Sequence, residues 1–339
     1  MEIGVIGAGS WGTALAILLA KKGFPVTLWV RRAAFCEKII AAGENVDYLP
    51  GVALPDLVQP TSDLKQAVRN KELILMSVPS HAVAEMSFRI DALIDGNPII
   101  VNTAKGLVEG SLRRLSQVIC DNLPLNQSHC HVAVLSGPNH AEEVSRLTPT
   151  ATVVAAEEKA VAEQVQDILM TPYFRVYTNP DVTGVELGGA LKNIIAIAYG
   201  ACEGLGYGDN TKAALITRGL VEITRLGRAM GARSATFSGL TGVGDLFVTC
   251  TSKHSRNRYV GLMLGQGKKL DEITASMQMV AEGVKTAKAA YLLARHYGVK
   301  MPITAEVCSI LFEGRKPEEA VQNLMRRDKT FEIEDMAFE

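Results

Sequence analysis

The chain has almost no excess charge of either sign: 35 basic residues stand against 36 acidic ones, a formal net charge of −1 over 339 residues. That balance removes bulk electrostatics as a reason to bind nucleic acid or an anionic membrane surface, so any basic site must be local. Paired cysteines are also missing. The six cysteines, at 36, 120, 130, 202, 250 and 308, form no C-x-x-C pair. Their spacing is neither that of a zinc site nor that of a disulfide framework, so free thiols in a reducing cytosol are expected. His129, Cys130 and His131 resemble a metal pair only superficially, because no further ligands cluster near them in the sequence, and no metal is expected. The N-terminus runs straight into EIGVIGAGS, with no basic stretch ahead and glycines inside the apolar run, unlike a secretory leader. The longest apolar segment, 184–206, is interrupted by Glu186, Lys192, Asn193 and Glu203. A spanning helix needs about 20 mostly apolar residues without such groups, so the segment reads as a buried helix and no integral membrane segment is expected. Internal repeats and low-complexity stretches are absent as well.

What is present is an ordinary globular composition, 47 % apolar and 21 % charged, on a chain long enough to expect two domains. The first half alternates short apolar runs with helical patterns. Strands are expected at 2–7, 25–30, 72–78, 98–103, 131–136, 150–156 and 174–178, with a helix over 12–23. Continuous Val, Ile and Leu runs separated by helices argue a parallel sheet covered on both faces. From about Asn179 no strand pattern remains, and helices are expected over 184–204, 210–230, 256–267, 281–297, 303–313 and 317–325. The turn-rich stretch 178–184 marks the boundary. The expected architecture is an α/β dinucleotide-type domain with a mostly parallel sheet over 1–179, an all-helical C-terminal domain over 180–330, and a loosely held tail over 331–339.

Three glycines, Gly7, Gly9 and Gly12, fall as G-x-G-x-x-G between the first strand and the first helix. In that setting they permit a tight turn, close approach of a pyrophosphate and helix–strand packing. The helix N-terminus adds unpaired N–H groups for phosphate. At the end of the second strand, where an acidic residue holds the ribose of NAD, the chain reads WVRR instead. Arg31 and Arg32 suit a 2′-phosphate, so NADP(H) is expected, alone or beside NAD(H).

In open parallel sheets ligands bind beyond the carboxyl ends of the strands. There the chain carries VPSH (78–81), TAKG (103–106) and SGPNHAEE (136–143). Lys105 is expected to face the cleft, and Asn139 to cap a helix with Glu142 three residues on. In the helical half, Lys192 sits in an Ala, Gly and Ile helix with Gly188, Gly189 and Ala196 on its face. Those small neighbours admit another backbone or a cofactor. Desolvation there would lower the lysine pKa toward an acid–base range, whereas a lysine that snorkels to the surface would keep its own. Asp245 follows a glycine-rich turn, and SRNR (255–258) opens a helix with a Ser cap and two arginines, either a phosphate site or a solvated helix start. His81 and His140 stand on cleft-edge loops without a visible partner carboxylate and are given no catalytic role.

GAGSWG (7–12), NTAKG (102–106), SGPNHAEE (136–143), ELGGALKNIIAIAYGACEG (186–204), GLTGVGDLFVTCTSKHSRNR (239–258) and VAEGVKTA (280–287) together resemble the bacterial-type NAD(P)-dependent glycerol-3-phosphate dehydrogenases. The resemblance spans all but the C-terminal end. It implies a Rossmann-type domain followed by a helical one. It also implies reversible reduction of dihydroxyacetone phosphate to sn-glycerol 3-phosphate, the backbone precursor of phospholipids, in a cytoplasmic enzyme. By resemblance Lys192 is the acid–base residue, with Lys105, Asn193, Asp245 and Thr249 completing the catalytic surroundings. Lys105, Gly137, Asn139, Lys192, Asp245, Ser255, Arg256 and Asn257 hold substrate. Gly7, Gly9, Ser10, Trp11, Gly12, Arg31, Arg32, Lys105, Ala141, Arg256, Val280 and Glu282 hold the cofactor. Asn139 departs from the small hydroxyl residue of many relatives. A homodimer is the base-rate expectation for such an enzyme.

Two other readings share part of this pattern. A reductase of β-hydroxy or keto acids would also use a helix lysine after the sheet domain, but has no use for the SRNR phosphate site. A dinucleotide-binding redox sensor would not need Lys105, Lys192 and Asp245 together, and would carry a recognition module that the sequence lacks.

Overall fold

The computed structural model describes residues 1–108, 112–123, 131–277, 280–329 and 331–332. The first 179 residues build one eight-stranded sheet from β1 (Ile3–Ile6), β2 (Val26–Trp29), β3 (Val58–Thr61), β4 (Leu73–Met76), β5 (Ile99–Asn102), β6 (His131–Ser136), β7 (Thr150–Ala156) and β8 (Phe174–Asn179). Between the strands run α1 (Ser10–Lys21), α2 (Ala33–Ala42), α3 (Leu64–Val68), α4 (Val83–Asp91), α5 (Leu115–Asp121), α6 (Ala141–Ser145) and α7 (Lys159–Leu169). The strand order is β3-β2-β1-β4-β5-β6-β7-β8. IGVI of β1 and LILM of β4 are buried at every position, as strands covered on both faces require. The order reverses between β1 and β4, which opens a crevice at their carboxyl ends.

One feature departs from expectation. The strand β3, VQPT, was not legible, because it holds Pro60 and buries only its first residue. Both follow from its place at the sheet edge, where a missing N–H costs nothing. The sheet is mostly parallel, as expected; β6 and β7 alone among its neighbouring strands run antiparallel, with Ala133 opposite Ala156 and Ser136 opposite Val153.

After β8 the described residues form no further strand. They fold as α8 (Val182–Gly204), α9 (Asp209–Ala229), α10 (Ser234–Phe237), a π-helical turn (Leu240–Gly244), α11 (Asp245–Thr251), α12 (Arg256–Gly265), α13 (Leu270–Ala275), α14 (Glu282–His296), α15 (Pro302–Phe312) and α16 (Pro317–Met325). The long helix α8 is the core of this half. It is the one helix among the described residues long and apolar enough to cross a membrane, and 89 % of its most apolar window is buried inside the protein. Asp181 starts it by accepting from Gly184 N at 2.8 Å. Its glycines bring α12 into backbone contact: a Cβ on Gly261 would lie 1.9 Å from the Ile197 carbonyl, and one on Gly200 would lie 2.0 Å from that of Arg258.

Side chains also tie the two halves together. Glu186 of α8 accepts from Ser116 N at 2.8 Å and pairs with Arg114 Nη1 at 2.6 Å. Glu282 at the start of α14 accepts from Ser80 N at 3.0 Å, in the turn that follows β4. Of the expected tail, only Phe331 and Glu332 lie within the described residues; residues 333–339 lie outside them, as do His129 and Cys130. His131 bonds Glu158 Oε1 through Nδ1 at 2.9 Å, and the described cysteines are all free.

Candidate active site

A cleft of about 560 Å³ runs from the carboxyl ends of β1 and β2 to the start of α12. Its floor at one end is the glycine turn. Gly7 has φ +116°, and a Cβ there would lie 2.7 Å from the Ser77 carbonyl. A Cβ on Gly12 would lie 2.0 Å from the Gly7 carbonyl, whereas one on Gly9 would meet nothing within 4 Å. Turn, packing and open approach are thus divided among the three glycines, as pyrophosphate binding requires. The chain continues at once into α1, whose first N–H groups have no helical partner. Trp11 Nε1 is buried without a hydrogen-bond partner among the described residues, a second sign that the turn is shaped around a bound group. Asn45, buried and unanticipated, fixes the turn from outside: its Nδ2 donates to Ala8 O at 3.0 Å and to Thr13 Oγ1 at 2.8 Å. These features fit a dinucleotide.

Past β2, Arg31 and Arg32 line the same cleft. The Arg32 guanidinium lies 5.3 Å from the Phe35 ring centroid, and Tyr48 meets Phe35 edge-on at 5.4 Å. Arg89 of α4 lies over Trp29 at 5.6 Å. Phe35, Tyr48 and Arg89 had no sequence signal, because each reaches the cleft only through the folding of its own loop or helix.

The other end is polar and buried. Lys192 does not snorkel: it is 4 % exposed, its Nζ donates to Thr249 Oγ1 at 2.7 Å, and it pairs with Asp245 Oδ1. Asp245, itself 1 % exposed, takes Lys105 Nζ on its second oxygen at 2.9 Å. Lys105 also donates to the Gly137 carbonyl at 2.8 Å. Two ammonium groups thus share one carboxylate. Burial pulls the Lys192 pKa down to about 7; Asp245 works against this shift, and Lys105 adds to it. An amine that can be charged or neutral near pH 7 is suited to pass a proton in either direction. The small residues beside Lys192 admit the protein's own groups: a Cβ on Gly188 would lie 2.6 Å from Thr241 O, and one on Gly189 would lie 2.4 Å from Ser136 Oγ.

At the start of α12, Ser255 Oγ accepts from Arg258 N at 3.2 Å as the expected cap. Burial lowers the Arg256 pKa, opposed by Glu282 and Glu142. Asn257 donates to Asn193 Oδ1 at 2.9 Å and accepts from Gly283 N at 2.9 Å, locking α8, α12 and α14 together. Asn139 does not cap a helix. His140 is the N-cap residue of α6, without a side-chain bond. Asn139 Nδ2 instead donates to Ala151 O at 3.3 Å, and its Oδ1 accepts from Thr152 Oγ1 at 3.0 Å. Bonding to the neighbouring strand β7 wins over local capping.

The cleft wall thus collects Gly7, Gly9, Ser10, Trp11, Arg31, Arg32, Lys105, Asn139, Lys192, Asn193, Asp245, Thr249, Ser255, Arg256, Asn257, Val280 and Glu282. Gly12, Gly137 and Ala141 are not part of that wall. Gly137 reaches the site through the carbonyl that holds Lys105. Among the described residues no group of three metal-ligating side chains occurs.

Known proteins resemble this chain over nearly its whole length. Residues 2–162 match the model of the NAD-dependent glycerol-3-phosphate dehydrogenase N-terminus, and residues 181–322 match that of the C-terminus. The chain is 54 % identical over 336 residues to a glycerol-3-phosphate dehydrogenase [NAD(P)+] of Desulfitobacterium hafniense, covering 99 % of this chain and 94 % of that one. It is 53 % identical to the protein of the same name from Moorella thermoacetica, covering 98 % of each. The crystal structure of glycerol-3-phosphate dehydrogenase from Coxiella burnetii superposes with a TM-score of 0.92 at 40 % identity, over 96 % of this chain and 99 % of that one.

Proposed function

The chain belongs to the NAD-dependent glycerol-3-phosphate dehydrogenase family, and from that premise we propose that its cleft reversibly reduces dihydroxyacetone phosphate to sn-glycerol 3-phosphate with NADP(H) or NAD(H). The observation that carries the reading is the Lys192–Asp245–Lys105 cluster at one end of a dinucleotide cleft, next to a basic helix start. A nicotinamide cofactor held at the glycine turn would supply hydride to the substrate carbonyl carbon. Lys192 Nζ gives its proton to the carbonyl oxygen as charge grows there, and recovers it in the reverse direction. Lys105 adds positive field at the same point. Asp245 holds both ammonium groups in place and balances their charge, and Thr249 fixes the Lys192 amine. Arg256 and the Ser255-capped start of α12 receive the phosphate, with Asn193 and Asn257 bracing the helices behind it. Remote binding energy at the phosphate thereby positions the reacting carbon. Ser10, Trp11 and the glycine turn would hold the pyrophosphate of the cofactor and Arg31 and Arg32 its ribose, with Val280 and Glu282 completing the same cleft.

The division between a cofactor half and a substrate half is drawn at residues 179 and 180, between the end of β8 and the start of α8, with 331–339 as a tail. A cytoplasmic homodimer is the proposed working form, supplying glycerophospholipid synthesis; a solution mass of one 36.4 kDa chain would remove the dimer. The deciding experiment is steady-state oxidation of NADPH and NADH with dihydroxyacetone phosphate, compared with keto-acid substrates. The phosphorylated ketone is the expected substrate, and Lys192→Ala lowers its turnover by about 10² or more with the fold intact by circular dichroism. Near-normal turnover in that variant, or a preference for a carboxylate substrate, would overturn the reading.

A further inference from the structure

His140 lines the same cleft as Lys105, Lys192, Ser255 and Arg256, and the catalytic scheme leaves it without a part. Its imidazole Nε2 is buried and has no hydrogen-bond partner among the described residues. Buried polar atoms are nearly always paired, so an orphan in a binding cleft points to pairing by what binds there. Its surroundings narrow the choice of ligand group. Lys192 of α8 and Lys105 of the loop after β5 are both near enough for their charge to act on the ring. The ring of His254, the residue before the Ser255 cap, lies 5.8 Å away. Glu142 of α6 acts on both His140 and Arg256. His140 therefore lines the cleft within electrostatic range of the ammonium pair and in ring contact with the residue before the α12 start. A three-carbon ketone phosphate with its carbonyl at Lys192 and its phosphate at Arg256 would occupy that part of the cleft.

We propose that His140 is a specificity-determining residue for the phosphate end of the substrate, its Nε2–H donating to a phosphate oxygen. The proposal rests on the reading of the cleft as that of a ketone-phosphate reductase. Burial first, then Lys192 and Lys105, lower the His140 pKa, and Glu142 and Glu143 oppose them; the ring is thus biased toward neutral before the ligand arrives. A phosphate dianion beside it favours the charged form, so binding draws a proton from solution.

Two variants, His140→Leu and His140→Gln, test this with dihydroxyacetone phosphate, with unphosphorylated dihydroxyacetone, and with inorganic phosphate as a competitive probe. His140→Leu is expected to lower kcat/KM for the phosphorylated ketone about tenfold, mainly through KM, as loss of one charge-assisted hydrogen bond does. Inorganic phosphate inhibition weakens by the same factor. Turnover of dihydroxyacetone and the NADPH dissociation constant stay unchanged. His140→Gln, which keeps a donor, retains most of the phosphate preference. Calorimetry of phosphate binding near neutral pH, in buffers of different ionisation enthalpy, shows smaller proton uptake in His140→Leu than in the natural protein, the remainder coming from Lys192 and the phosphate itself. Equal losses on both ketones, or phosphate inhibition and proton uptake unaltered in His140→Leu, would overturn the proposal. Should the natural protein fail to reduce dihydroxyacetone phosphate, the functional reading falls, and the phosphate-binding arm still decides His140 by itself.

Discussion

At the scale of single residues, the chemistry turns on how one carboxylate serves two lysines. Lys192 is buried, so its charged form is disfavoured, and Asp245 restores part of that charge. Reduction needs the ammonium. With a pKa of about 7, kcat/KM for dihydroxyacetone phosphate reduction falls as pH rises through about 7. Oxidation of glycerol 3-phosphate needs the neutral amine, so it rises through the same range. Asp245→Asn removes the anion that keeps Lys192 charged. The break then moves to lower pH, and turnover drops by roughly 10²-fold as general acid catalysis is lost. Paired pH–rate profiles check this, and a reduction rate flat through neutrality would contradict it. At the other end of the cleft, Arg31 and Arg32 face the expected 2′-phosphate. Replacing both by Ala weakens NADPH binding by about tenfold or more, since hydrogen bonds to charged groups contribute about 1.5–3 kcal/mol, and leaves NADH nearly unchanged. Fluorescence titration with both nucleotides reads the difference; equal losses would mean that the pair does not read the phosphate.

At the scale of elements, the site depends on how closely α8 and α12 approach. Lys192 is carried by the first helix and Arg256 by the second, and nothing but backbone separates them at Gly261, where a Cβ would lie 1.9 Å from the Ile197 carbonyl. Gly261→Ala must push the helices apart, because a carbonyl cannot fold away as a side-chain tip can. Overpacking of this kind costs about 1–3 kcal/mol. The displaced start of α12 moves the phosphate site relative to the acid. The expected result is a lower melting temperature, with KM for dihydroxyacetone phosphate raised more than kcat is lowered. A variant with natural KM would show that the contact sets stability alone. The same dependence on neighbours explains Asn139: strand β7 offers its side chain two partners, and the helix cap passes to His140.

For the whole molecule, the cleft exists only while the sheet half and the helical half keep their relative position. Glu186 is central to that. It lies on α8, 7 % exposed, and takes Ser116 N, Ser116 Oγ and Arg114 Nη1 from the start of α5. Removing one partner of a buried pair strands the other, at a cost of about 3–5 kcal/mol. Glu186→Ala is therefore expected to lower the melting temperature by several degrees, given roughly 2–4 °C per kcal/mol for domains of about 150–250 residues, and to weaken nucleotide and substrate binding together. Scanning calorimetry and a two-substrate kinetic analysis test both. An unaltered melting curve would show that Arg114 and Ser116 find solvent without strain.

Local order along the chain determined a great deal. The fully apolar strands, the glycine turn between β1 and α1, the Ser255 cap and the change from strand to helix near Asn179 depend on residues close in sequence, and periodicity and turn chemistry act at that range. The cleft chemistry is different. The pairing of Asp245 with both Lys105 and Lys192 spans 140 and 53 positions. The edge strand β3, the antiparallel turn of β7, the anchoring Asn45, the aromatic wall of Phe35 and Tyr48 and the unpaired nitrogen of His140 likewise arise only when distant segments meet. Sequence determined which groups could do the chemistry; the burial that brings the Lys192 pKa near neutrality, and the shared carboxylate that keeps it partly charged, were decided by tertiary packing, because desolvation and Coulomb interaction depend on distance in space and not along the chain.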